Sequence, residues 1–189
     1  SVKWTKISQI KPLETEYFKN QCYCDGYRSD FVALDQEFPN SLFIFNDRNI
    51  TQWLRSRVKQ YLRFQETPSP GRAIESKKYG WIAKDFFSEP ELSILKWLTE
   101  YKIYKHQVFT YFTTRKEFMT INVTEDSSYV HKVKSFLSQN SFEYIDSKDV
   151  NPIRENTLNE SNYNSSTLNH YYDLIDLVQR KFNALYYQD

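Results

Sequence analysis

Apolar residues recur at Ile50, Leu54, Val58, Tyr61 and Leu62, the three- and four-residue spacing of one helix face, which predicts a helix over about 50–64. Just before it, Leu42-Phe43-Ile44-Phe45 is a short continuous apolar run and reads as a buried strand. Thr67-Pro68-Ser69-Pro70-Gly71 ends the helix and opens a loop that carries Arg72, Lys77 and Lys78. Ser88-Glu89-Pro90-Glu91 combines a capping box with a first-turn proline. A helix with Leu92, Leu95, Leu98 and Tyr101 on one face is expected after it, with helical character reaching Tyr111. Residues 118–123 alternate and read as a strand, with Ile121 and Val123 as its buried members. Asp126 or Ser127 can cap a helix in which Val130, Val133 and Leu137 share a face. An Asn/Ser-rich stretch, 151–169, reads as an irregular loop. Leu168, Tyr172, Ile175, Val178, Phe182 and Leu185 mark a C-terminal helix.

Strands alternating with helices predict an α/β fold, a parallel sheet flanked by helices, in one domain over 1–189. In such sheets ligands bind beyond the carboxyl ends of the strands, and the end of the 42–45 strand is such a place. Composition narrows the function. Lys+Arg 25 against Asp+Glu 24 gives no global field for nucleic acid or an anionic membrane, so neither is expected as a partner and any anion recognition is local. An aromatic content of 17% supplies a core and excludes disorder of the whole chain. The one-residue spacing of Cys22 and Cys24 would strain a mutual disulfide, and two thiols without a nearby His make a poor zinc site. They are read as reduced thiols of a cytoplasmic protein. His106, His131 and His170 are scattered, so no metal is expected. Abundant Asn, Lys, Ile, Tyr and Phe beside only Gly 3 point to an AT-rich microbial or viral gene. Sequons at Asn49, Asn122, Asn159 and Asn164 are what an Asn-rich chain yields by chance.

Chemistry concentrates in 38–56. Arg48 follows the strand, Asn49 or Thr51 can cap the helix, and Ser56 lies eight residues beyond the arginine. A helix start offers backbone N–H groups and the positive end of a dipole. Arg48 adds a bidentate fork for phosphate oxygens. Ser56 lies roughly 8–9 Å along the helix at 1.5 Å per residue, and its side chain leans back toward the N-terminus. Together they can hold one phosphate. The plain alternative is that Arg48 pairs with Asp47 or another carboxylate and Ser56 is a surface residue.

The order Phe38-Pro39, Leu42 to Phe45, Arg48-Asn49, Trp53-Leu54 and Ser56 resembles the 3′-phosphate-binding segment of sulfotransferases that use 3′-phosphoadenosine-5′-phosphosulfate (PAPS). Around it, Cys24-Asp25-Gly26 and Phe31-Val32-Ala33-Leu34-Asp35 are similar to the strand end and helix that precede that segment in the family. The stretch from Lys116 to Glu125 and the Val133–Leu137 helix are similar to its later strand and closing helix, so the resemblance spans 22–157. It implies a P-loop NTPase-like sulfotransferase fold and PAPS as co-substrate. It also implies a 3′-phosphate site at Arg48 and Ser56, a base at Asp25 (with Asp30 nearby) and a cationic nucleotide contact at Arg154. The acceptor would be the hydroxyl or amine of a small molecule or carbohydrate. The family's opening loop for the 5′-phosphosulfate has no counterpart, because Gly26, Gly71 and Gly80 stand in no strand–Gly-rich–Lys-Ser/Thr–helix context. The expectation is therefore an N-terminally incomplete sulfotransferase, or else an inactive remnant that binds a nucleotide or a partner. A nucleotide kinase would need a Walker-type Lys and a Mg-binding carboxylate, and neither is visible.

Overall fold

The computed structural model of the chain describes residues 4–6, 22–24, 31–66, 86–141 and 164–186. Strands β1 (Trp4–Lys6) and β2 (Cys22–Cys24) pair in parallel, Trp4 opposite Cys22. Helix α1 (Phe31–Glu37) precedes β3 (Phe43–Asn46), which leads into α2 (Ile50–Glu66). Then follow α3 (Pro90–Tyr111), β4 (Phe118–Ile121), α4 (Tyr129–Gln139) and α5 (Ser165–Tyr186). β3 and β4 pair in parallel with Phe43 opposite Phe118 and Asn46 opposite Ile121. The architecture is mixed α/β, with its described strands in two parallel pairs.

The chain divides into two compact units, Ser1–Asp47 with Tyr104–Val150 and Arg48–Ile103 with Asn151–Asp189. The first holds the strands. Phe43 N–H donates to the Glu117 carbonyl at 2.8 Å and Asp47 N–H to the Ile121 carbonyl at 2.7 Å, which bracket the β3–β4 pair. Phe112 packs beneath it, stacked on Phe118 with ring centres 4.9 Å apart and tilted against Phe43 at 4.7 Å. Among the described residues, Val108, Phe112 and Phe136 are its buried apolar side chains. Phe31 of α1 meets Tyr111 of α3 at 5.5 Å and Phe112 at 5.9 Å, so a core of few side chains still ties α1, α3 and both strands together.

The second unit is helical. Its core joins Leu54, Val58, Tyr61 and Leu62 of α2, Phe86, Ile94, Trp97 and Leu98 around α3, and Leu168, Ile175, Val178 and Phe182 of α5. Leu54, Val58 and Ile175 are fully buried, each stabilising by about 1.5–3 kcal/mol relative to exposure. Polar contacts also cross the α2–α5 seam, Thr51 Oγ1 to Gln179 Oε1 at 2.9 Å and Arg55 to Asp176 at 3.5 Å, while Arg55 Nε and Gln179 Nε2 are buried without an acceptor among the described residues. Lys181 of α5 pairs with Glu91 of α3 at 2.6 Å.

Several expectations need correction. The first α/β strand runs over Phe43–Asn46, one residue later than expected. α3 is unbroken, but it turns Ile94, Trp97, Leu98 and Tyr101 inward and leaves Leu92 and Leu95 at 58% and 37% exposure. Val123 lies beyond the end of β4, 38% exposed, because the strand stops at Ile121. Leu185, in the last turn of α5, is 74% exposed, past Phe182, the last buried core residue of the helix. The reading of 151–169 as loop fails from Ser165 onward, where α5 begins.

Candidate functional site

The corner expected to hold phosphate lies at the start of α2. Asn49 is its cap. Its Oδ1 accepts from the Thr51 N–H at 3.0 Å and the Gln52 N–H at 3.2 Å, while its carbonyl accepts from the Trp53 N–H at 2.9 Å. This corrects the expectation of free N–H groups at this terminus. Asparagine, preferred in this position because its short amide reaches two donors, has used two of the groups an anion would take. Recognition of an anion here therefore leans on the dipole and on side chains.

Arg48 is the principal one. It is half-buried, its Nε–H is buried, and no acceptor among the described residues reaches that donor. The alternative of an Arg48–Asp47 pair is not what forms, since Asp47 is engaged by Lys105 at 2.7 Å. The Arg48 carbonyl accepts from the Tyr101 hydroxyl at 3.0 Å, so the backbone that presents the guanidinium is fastened to α3. Ser56 is half-buried on α2. Both lie in the helical unit.

Asp25, Asp30, Arg72, Lys77, Lys78 and Arg154 lie outside the described residues. His106, His131 and His170 are exposed on α3, α4 and α5. Among the described residues no group of three His, Cys, Asp or Glu could hold a metal ion. None of the described helices is long and apolar enough to cross a membrane. The sequon asparagines that are described act in turns and caps. Asn122 Oδ1 accepts from the Thr124 N–H at 3.1 Å and its hydroxyl at 2.7 Å, and Asn164 Oδ1 accepts the same pair from Ser166 at 3.0 and 2.7 Å. An Asn-x-Ser/Thr spacing is also the spacing of an Asx turn with a hydroxyl two residues on.

Two clusters were not anticipated. In the strand-bearing unit, Asp35 is buried at 6% exposure and accepts from Arg115 at 2.6 Å and the Tyr111 hydroxyl at 2.9 Å. Arg115 also bonds Glu117 at 3.2 Å and the Pro39 carbonyl at 3.3 Å. The hydrogen bond to Asp35, opposed by burial and helped by Glu117, raises the Arg115 pKa above its ordinary value. The Glu117 carboxyl is held below its usual range, first by its own backbone N–H and then, against desolvation, by Arg115. The available signal was Asp35 one helical turn after Phe31, a carboxylate on an apolar face. In the helical unit, Arg57 packs against Trp53 and Trp97, its guanidinium carbon 5.2 and 4.8 Å from the two ring centres. The Trp53-to-Arg57 spacing, one turn of a predicted helix, was the readable hint.

Comparison with protein-family models, curated proteins and solved structures yields no match to this chain.

Proposed function

We propose that the helical unit binds the 3′-phosphate of an adenine nucleotide at Arg48 and Ser56, and that the protein is a PAPS-dependent sulfotransferase. The observation that carries the reading is Arg48, a half-buried guanidinium with an orphaned Nε–H beside the start of α2. Leaving such a donor unpaired is costly, and a phosphate oxygen in the plane of the fork would satisfy it. The order of residues from Phe38-Pro39 to Ser56 supports the choice of a 3′-phosphate over other anions. On this reading the P-loop NTPase-like fold of the sulfotransferases is the finer description of the α/β chain, and the setting is cytoplasmic.

In the reaction so proposed, the acceptor oxygen or nitrogen attacks the sulfur of PAPS in line. The bond from sulfur to the bridging phosphate oxygen breaks, and 3′,5′-adenosine diphosphate leaves with the electron pair. The family resemblance would give the acceptor proton to Asp25 and a cationic nucleotide contact to Arg154.

Calorimetric titration with 3′,5′-adenosine diphosphate tests the assignment. Arg48→Ala is expected to weaken binding by about 10- to 100-fold, the worth of a charge-assisted bidentate contact. Unchanged affinity in this variant, or no binding by the wild type, would sink it.

A further inference from the structure

We propose a second oxyanion site in the helical unit, anchored by Arg57 between Trp53 and Trp97. It would take a sulfate or phosphate group, and it does not depend on the nucleotide reading of Arg48. Trp53 and Arg57 stand one turn apart on α2, and Trp97 and Tyr101 one turn apart on α3. Trp53 meets Tyr101 with ring centres 5.0 Å apart, and Trp97 meets Tyr61 at 5.0 Å and Phe86 at 5.3 Å. An aromatic seam thus runs along the two helices with one guanidinium set into it.

Three facts argue that this guanidinium serves a ligand rather than the fold. Its Nε–H is buried and meets no acceptor among the described residues. No carboxylate among them pairs with it, whereas Arg55, two residues earlier on α2, has Asp176 and Arg115 has Asp35. Its contacts are with ring systems, which attract a cation but accept none of its in-plane hydrogen bonds. With indoles against it, the approach left to a partner is along the edge of the fork. That is the geometry in which a tetrahedral oxyanion accepts two parallel N–H bonds. Arg57 as a whole is half-buried, so the fork is not sealed from solvent. An apolar side chain would fill such a seam at lower cost, and a ligand accounts for the charge.

The test uses the full chain and inorganic phosphate or sulfate, with chloride at equal ionic strength as the control for screening. The four tryptophans, Trp4, Trp53, Trp81 and Trp97, give four indole N–H resonances that single Trp→Phe variants assign. Saturable shifts of the Trp53 and Trp97 resonances by phosphate, and not by chloride, are expected in the wild type and in Arg48→Ala. Arg57→Met, which keeps the apolar stem and loses the fork, is expected to weaken the response by at least about tenfold while melting no lower than the wild type. Arg57→Lys, a charge without the planar fork, is expected to fall between them. A phosphate monoester that shifts the same resonances at lower concentration would mark the group as part of a larger ligand. Shifts that track ionic strength alone, or that survive in Arg57→Met, overturn the proposal. So does a destabilised Arg57→Met with no phosphate response in the wild type. Loss of nucleotide binding in Arg48→Ala with the phosphate response intact separates this site from the one at Arg48.

Discussion

Replacing Asp35 by Asn tests the buried ion pair of the strand-bearing unit. The substitution keeps the volume and one acceptor oxygen but removes the charge opposite Arg115, 2.6 Å away. Breaking a buried pair by removing one partner costs about 3–5 kcal/mol. Two features lower that figure here. The Arg115 side chain is 27% exposed and keeps Glu117 and the Pro39 carbonyl, so water and neighbours still solvate it. The second Asp35 oxygen, Oδ1, is buried with no hydrogen-bond partner, so the carboxylate itself carries a desolvation cost that the amide relieves in part. The expected loss is about 2 kcal/mol, or about 4–8 °C in Tm for a chain of this size. Urea unfolding followed by circular dichroism measures it. A cycle with Arg115→Gln adds a sharper criterion, because residues that act as a pair give a double variant less destabilised than the sum of the singles. Strict additivity, or an Asp35→Asn protein within about 0.5 kcal/mol of the wild type, refutes the account.

Asn49→Ala removes the acceptor of the Thr51 and Gln52 N–H groups and is expected to cost about 1 kcal/mol, read as a lower urea midpoint; Asn49→Asp should retain the cap. Asp126 governs an acid limb. Lys132 first, then the Ser128 hydroxyl and N–H, lower its pKa from 3.8 to about 2. A group depressed in the folded state contributes stability that is complete above its unfolded pKa and is lost as pH falls through the folded one, so the brace before α4 should fail between about pH 4 and pH 2. The helical circular dichroism of wild type and Asp126→Asn should differ above that window and converge below it, and parallel profiles would refute the assignment.

What the sequence reveals of the fold depends on how one-sided each element is. α2 was legible because its apolar residues occupy one stripe, and Leu54, Val58, Tyr61 and Leu62 are all buried. α3 hid its orientation. Leu92, Ile94, Leu95, Trp97 and Leu98 surround the helix, so spacing supports more than one face, and the large rings Trp97 and Tyr101 decided it by packing. Of the candidate site, the helix start and its asparagine were readable from local spacing. The engagement of Asp47 by Lys105 was not, since 58 residues separate them. The Asp35–Arg115 pair, 80 residues apart, was beyond local pattern for the same reason. Asp25 and Arg154 lie outside the described residues.

The helical unit is assembled from two stretches of chain, 48–103 and 151–189, and its core draws Leu168, Ile175, Val178 and Phe182 from the second. During synthesis α2 therefore emerges with part of its cover still unmade. At about 5–20 residues per second, the wait for α5 is on the order of ten seconds. Over that time Leu54 and Val58 lack the α5 side chains that later share their cluster, and a nascent chain stalled before residue 165 is exposed to aggregation through that stripe. Completion of the helical core thus waits on the arrival of one late helix. Expression at lower temperature, or with a chaperone that shields apolar helices, acts on that interval rather than on the finished fold.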